Sequence, residues 1–148
     1  MGNAIVVGYD GSKTSDKAVD AAIELAKDMT DCEVMIACGM HQPDSLVDFG
    51  RRDEVLFQAE GYWQEMLPHV TKALEEQAEK ARAAGVKAAT ACTPGDPSDV
   101  MINVAKDVGA KLIVVGSTGA GLMAEMVGST TLRLIKKSKI PVLVVPKG

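Results

Sequence analysis

Four short apolar runs rich in valine and isoleucine, at residues 4–9, 34–38, 111–115 and 141–145, constrain this chain more than any other feature. A weaker run at residues 86–92 adds a fifth. In chain order the first, fourth and last are almost continuously apolar. A strand with one wet face would alternate, so these read as strands covered on both sides in a parallel sheet. The segments between them are therefore expected to be crossover helices.

Helical periodicity supports that expectation. Ala18, Ala21, Ala22, Leu25, Ala26 and Met29 recur at i, i+3 and i+4, with Lys17, Asp20, Glu24 and Lys27 on the other side. Residues 67–84 repeat the pattern with Val70, Ala73, Leu74, Ala78 and Ala81, and Pro68 either begins this helix or kinks an earlier one. Asp96 followed by Pro97 reads as an N-cap and first turn leading into Val100, Val104 and Val108. A last helix is expected over residues 129–138, with Leu132 and Ile135 toward the sheet and Arg133, Lys136 and Lys137 toward water. Strand and helix thus alternate from start to finish, which predicts an α/β fold with a parallel sheet and right-handed crossovers. Residues 40–60 are polar and read as irregular, a flap or a partner surface.

Length and composition then exclude whole classes of function. A chain of 148 residues fits one domain, residues 1–148, and buries about 70% of its unfolded surface without staples. Cys32, Cys38 and Cys92 form no C-x-x-C pair, which argues against a disulfide framework or a zinc site and for a cytoplasmic location. His41 and His69 lie 28 positions apart with no second ligand near either, so no metal site from protein side chains is expected. No apolar run approaches the roughly 18 residues of a membrane span, and the start of the chain lacks the charged region and cleavage site of a leader. A soluble, unprocessed protein with no membrane partner is expected. With a net charge of −4 and 3% aromatic residues, the chain lacks the cationic face and stacking rings of a nucleic-acid binder.

In an open parallel sheet, ligands collect beyond the carboxyl ends of strands where the strand order reverses. Two segments fall at such ends. In Gly8-Tyr9-Asp10-Gly11-Ser12 a strand stops at an acidic residue and a glycine turn. In Gly116-Ser117-Thr118-Gly119-Ala120-Gly121 a glycine-rich loop follows a strand, and Gly128-Ser129-Thr130-Thr131 opens the last helix. Glycines admit a phosphate close to the backbone, and a helix N-terminus offers unpaired N–H donors. Ser129, Thr130 and Thr131 add hydroxyls, and Arg133 is a candidate reinforcement. The same residues also serve merely to turn and cap a chain, and spacing alone weighs the two readings equally.

Other phosphate motifs fail. A Walker loop needs Lys and then Ser or Thr after Gly121, where Leu122 and Met123 stand. Gly119-x-Gly121-x-x-Ala124 has no acidic residue after Glu125, which argues against a nicotinamide cofactor. No Ser-His-Asp set or paired carboxylate spacing marks a catalytic centre.

Over nearly its whole length the chain resembles the universal stress protein family. The similarity rests on Ile5-Val6-Val7-Gly8-Tyr9-Asp10-Gly11-Ser12 with Ser15 and Ala18, on Gly95-Asp96-Pro97, on residues 112–119, on Gly128-Ser129, and on Pro141-Val142-Leu143-Val144-Val145. The resemblance implies a three-layer, open five-stranded parallel sheet of order 3-2-1-4-5 with helices on both faces, the adenine nucleotide alpha hydrolase-like fold. It also implies ATP, with Mg²⁺ on its phosphates, as ligand.

Members that bind ATP carry G-x2-G-x9-G-[ST], which lands here on Gly116, Gly119, Gly128 and Ser129, with Thr130 and Thr131 beside the phosphates. Asp10, Gly39 and Val115 are implied at the adenine and ribose end. Between Gly119 and Gly128 this chain has eight residues where the family pattern has nine. The implied function is regulatory, in the stress response, by a homodimer joined through Val142–Val145. No general base for hydrolysis is evident, so the chain is not expected to be an enzyme. The alternative is a dimeric interaction module of the same fold that binds no nucleotide, with a slow ATPase as third choice.

Overall fold

The computed structural model describes residues 3–40, 52–118 and 127–147. Its elements alternate as β1 (Asn3–Gly8), α1 (Lys13–Lys27), β2 (Cys32–Met40), α2 (Arg52–Ala83), β3 (Lys87–Pro94), α3 (Pro97–Val108), β4 (Leu112–Gly116), α4 (Ser129–Lys137) and β5 (Val142–Val145). The strands form one sheet in the order β3-β2-β1-β4-β5. Every neighbouring pair is parallel, with Val7 opposite Ile36 on one side and opposite Val114 on the other.

The apolar runs divide between two cores because successive side chains on a strand point to opposite faces. Ile5 and Val7, with Val34, Ile36 and Val114, pack under α1 and α2 against Ala18, Ala22, Leu74, Ala78 and Ala81. Ala4 and Val6, with Ala37, Ile113 and Val115, pack under α3 and α4 against Met101, Ala105 and Leu134. Ile5, Val6 and Val7 are fully buried, each contributing about 1.5–3 kcal/mol through apolar burial. The weaker run, β3, is an edge strand whose residues are only half-buried, so it needs less apolar character.

One open choice is resolved and two expectations are corrected. The second crossover helix begins at Arg52, so Pro68 lies within α2 and does not start it. Position 68 donates no N–H to the Gln64 carbonyl, yet the helix formers on both sides carry the helix through. Residues 52–60 are accordingly helical, while 41–51 lie outside the described residues. Finally, α4 is rotated from its expected pose. Thr131 and Leu134 are its buried residues, while Leu132 is 46% and Ile135 56% exposed. The cause is at its first turn, where the Thr131 hydroxyl donates to the Gly116 carbonyl at 2.7 Å and pins that side of the helix to β4.

Candidate functional site

β1 and β4 lie side by side but hand the chain to opposite directions. From β1 the crossover α1 leads to β2, and from β4 the crossover α4 leads to β5. The carboxyl ends of β1 and β4 are thus the point where the strand order reverses, and among the described residues a cavity of about 150 Å³ opens there.

The turn after β1 builds one wall. The Ser12 amide donates to Asp10 Oδ1 at 2.9 Å, and Gly11 takes a positive φ of 84° that side chains resist. Ser12 then caps α1, its hydroxyl oxygen accepting from the Ser15 amide at 3.1 Å, while the Ser15 hydroxyl donates back to the Ser12 carbonyl at 2.8 Å. Asp10 is exposed, and its second oxygen has no partner among the described residues. Tyr9 is held alongside, its hydroxyl accepting from Gln77 at 3.5 Å. Burial and the neighbouring Asp16 carboxylate raise the Tyr9 phenol above its ordinary value.

The start of α4 builds the facing wall. The Gly128 amide donates to the Ser117 carbonyl at 2.8 Å, which brings the helix back against the end of β4. Glycine at the N-cap offers no side-chain acceptor, and the first turn carries no acidic residue. The amides of Ser129, Thr130 and Thr131 therefore have no intrahelical acceptor and face a positive dipole end unneutralised. The contrast with α1 and α3 is sharp: α1 is capped by Ser12 and carries Asp16, and α3 is capped by Asp96 and carries Asp99. Of these three starts, that of α4 has neither a side-chain cap nor an acidic first turn, the arrangement that suits an anion.

The floor is apolar. Ala37, Gly39, Pro97, Met101 and Val115 line it. Gly39 is there because a Cβ would lie 2.7 Å from Pro97 Cα, so only glycine lets α3 rest on β2. A Cβ on Gly116 would lie 2.5 Å from Thr14 Cγ2, so the helix that caps one wall can approach β4 only over a bare backbone.

Asp10, Gly39, Val115, Gly116, Gly128, Ser129, Thr130 and Thr131 all line this one cavity. Gly119 lies outside the described residues. Thr131 has its hydroxyl proton committed to the Gly116 carbonyl, which leaves its amide for a ligand. Arg133, the candidate reinforcement, instead pairs with the Asp96 carboxylate and ties α4 to the start of α3. Burial alone would raise the Asp96 carboxyl, but bonds from Ser98 and the Asp99 amide, with the Arg133 charge, hold it below the usual range. Asp96 is a cap, as its position before Pro97 implied.

Sequence reasoning did not single out Ser15, Ala37, Pro97 and Met101 as lining residues. The S-x-x-S spacing of Ser12 and Ser15 was a legible cap signal. Ala37, Pro97 and Met101 carried none, because tertiary packing alone brings them to the floor. Among the described residues no cluster of three or more His, Cys, Asp or Glu could hold a metal ion. Among them, too, no helix is long and apolar enough to cross a membrane.

Comparison with known proteins bears on this arrangement. The sequence model of the universal stress protein family matches residues 1–146. Universal stress protein YxiE of Bacillus subtilis strain 168 is 35% identical over 150 residues, covering 98% of this chain and 99% of the relative. Universal stress protein UspA from Lactobacillus plantarum superposes with a TM-score of 0.81 at 20% identity, covering 97% of each chain. A universal stress protein solved in complex with cAMP superposes with a TM-score of 0.63 at 26% identity, covering 99% of this chain and 98% of that one.

Proposed function

Because the chain belongs to the universal stress protein family, we propose that it is a regulatory protein of the stress response that binds an adenine nucleotide, ATP with Mg²⁺ on its phosphates, in the cavity between β1 and β4. The observation that carries the reading is the start of α4, where Gly128 gives no side-chain cap, the first turn holds no acidic residue and the first three amides have no intrahelical acceptor, beside a cavity with an apolar floor. Phosphates would sit against Ser129, Thr130 and Thr131, and the metal would neutralise phosphate charge that no cationic side chain among the described lining residues meets. The base would rest on Ala37, Gly39, Val115 and Met101, with Asp10 at the ribose. The relative solved with cAMP supports an adenine nucleotide as the class of ligand. Binding rather than turnover is proposed, since among the described lining residues Asp10 is the only carboxylate and no histidine or lysine stands beside it.

Calorimetry with MgATP should return a dissociation constant in the micromolar range. Ser129→Ala should raise it about 10-fold, the value of one hydrogen bond to a charged group. Ser129 is exposed, so the variant should melt with the parent. Absence of heat at millimolar MgATP would remove this reading and leave the dimeric interaction module, which the eight-residue spacing between Gly119 and Gly128 favours.

We further propose that the protein is a homodimer joined through β5. As the sheet's edge, β5 pairs only with β4. Leu143 on it is 38% exposed and Val127, Leu132 and Ile135 nearby in sequence are 46–56% exposed, an apolar edge that a lone chain would leave open to pairing. Light scattering should give the mass of two chains, and Leu143→Lys should return it to one. An unchanged mass in that variant would place the contact elsewhere.

A further inference from the structure

β2 and β3 carry a cysteine each at one register position. Cys38 lies directly opposite Cys92 in the parallel ladder. Both side chains pack against the same core cluster under α1 and α2, so both sulfurs are on one face of the sheet. In-register residues on neighbouring strands sit about 4.8 Å apart, inside the roughly 4.4–6.8 Å between Cα atoms that a disulfide spans. Both thiols are free, and both are only partly buried. Cys32 is excluded from the pair: it lies six positions back along β2, about 20 Å away, and it is buried.

We propose that Cys38 and Cys92 form a dithiol modification site that a peroxide oxidises to a cross-strand disulfide. Cys92, on the edge strand, reacts first. Its thiolate attacks one peroxide oxygen, the O–O bond breaks, and hydroxide leaves with a sulfenic acid on Cys92. The Cys38 sulfur then attacks that sulfur, the S–O bond breaks, and the second hydroxide leaves. The two protons lost by the thiols convert both hydroxides to water, so two thiols and one hydrogen peroxide give one disulfide and two waters. The sulfurs together lose the two electrons that the peroxide gains.

Burial, with the neighbouring Cys92, pushes the Cys38 thiol up to about 12, and burial raises Cys92 as well. Both groups thus rest mainly as thiols, so the first step runs through the minor thiolate fraction of Cys92 and the pair stays reduced until an oxidant is supplied. Ala37 and Gly39, on either side of Cys38 in sequence, line the cavity, while the bond itself would form on the other face of β2.

The test is intact-mass and peptide analysis of the full chain after treatment with hydrogen peroxide, with alkylation under denaturing conditions. The expected result is a loss of two hydrogens and retention of one alkylatable cysteine out of three, Cys32, with the Cys38 and Cys92 peptides linked until a reducing agent is added. Cys32→Ser should still form the link, and Cys92→Ser should not. Three alkylatable thiols after treatment, added oxygen with no link, or a link between two chains would each overturn the proposal. The readout is independent of nucleotide, and the parent chain carries the test even where a variant folds poorly.

Discussion

Gly116→Ala should cost about 2 kcal/mol of stability and lower the melting temperature by about 4–8 °C, with nucleotide binding lost in the same variant. The added methyl would stand 2.5 Å from Thr14 Cγ2, 3.2 Å from Thr14 Cβ and 3.3 Å from its carbonyl carbon. Carbon atoms attract at about 3.5–4.0 Å and repel steeply inside that. Thr14 cannot swing aside, for it is β-branched, buried on α1, and its hydroxyl meets that of Thr118 at 3.4 Å. Alanine restricts the unfolded chain more than glycine does, which returns about 0.5–1 kcal/mol. The overlap is the larger effect, so the net sign is destabilising.

Relief must come from α1 moving off β4, which opens the wall that Asp10 and Ser12 build. Thr14→Ser in the same chain removes the offending methyl and should recover most of the loss. Gly8→Ala offers a second control: its Cβ would meet the Met101 sulfur at 2.5 Å, but that atom belongs to a flexible side chain that can shift, so the cost should be smaller. If thermal melts found Gly116→Ala as stable as its parent, the close approach of α1 to β4 would be wrong.

Leu134→Ala should be the most destabilising substitution on α4, by about 3 kcal/mol or about 6–12 °C. Leu134 is fully buried in the core under α3 and α4, and its truncation leaves a cavity beneath the helix whose start faces the proposed phosphates. Nucleotide affinity should fall with it, because the amides of residues 129–131 are held in place by that anchor and by the Thr131 bond. Ile135→Ala, the next position along, should change stability of the isolated chain by less than about 0.5 kcal/mol, as expected for a surface site. Equal losses at the two positions in denaturant titrations would show that α4 presents a different face to the sheet.

Those two residues also mark where sequence reasoning stops. The central strands were legible because a parallel strand covered on both faces demands a continuous apolar run, and Ile5-Val6-Val7 or Ile113-Val114-Val115 have no simpler explanation. The cap at Asp96 before Pro97 was legible for a local reason, since it satisfies orphan amides within three residues of itself, and Ser12 before Ser15 carried the same signal without being read as a cap. The face of α4 was not legible. Leu132 and Ile135 form as good an apolar stripe as Leu134 does, and the choice between them depends on a hydroxyl bond from Thr131 to Gly116, fifteen positions away. The Arg133 partner was hidden likewise, since Asp96 lies on another helix, 37 positions back. The start of α2 was obscured because Pro68 mimics a helix beginning.

By itself the sequence determined the class of fold, the number of strands and their alternation with helices, and the two glycine-bearing turns at the strand ends. These follow from local alternation and capping, which act over a few residues. Only the tertiary structure decided which side of α4 faces the sheet, that Gly39 and Gly116 are bare so that α3 and α1 can approach, and that Cys38 stands beside Cys92. Each of those is a contact between segments far apart in the chain, set by how closely packed surfaces fit, and no local pattern of residues encodes it.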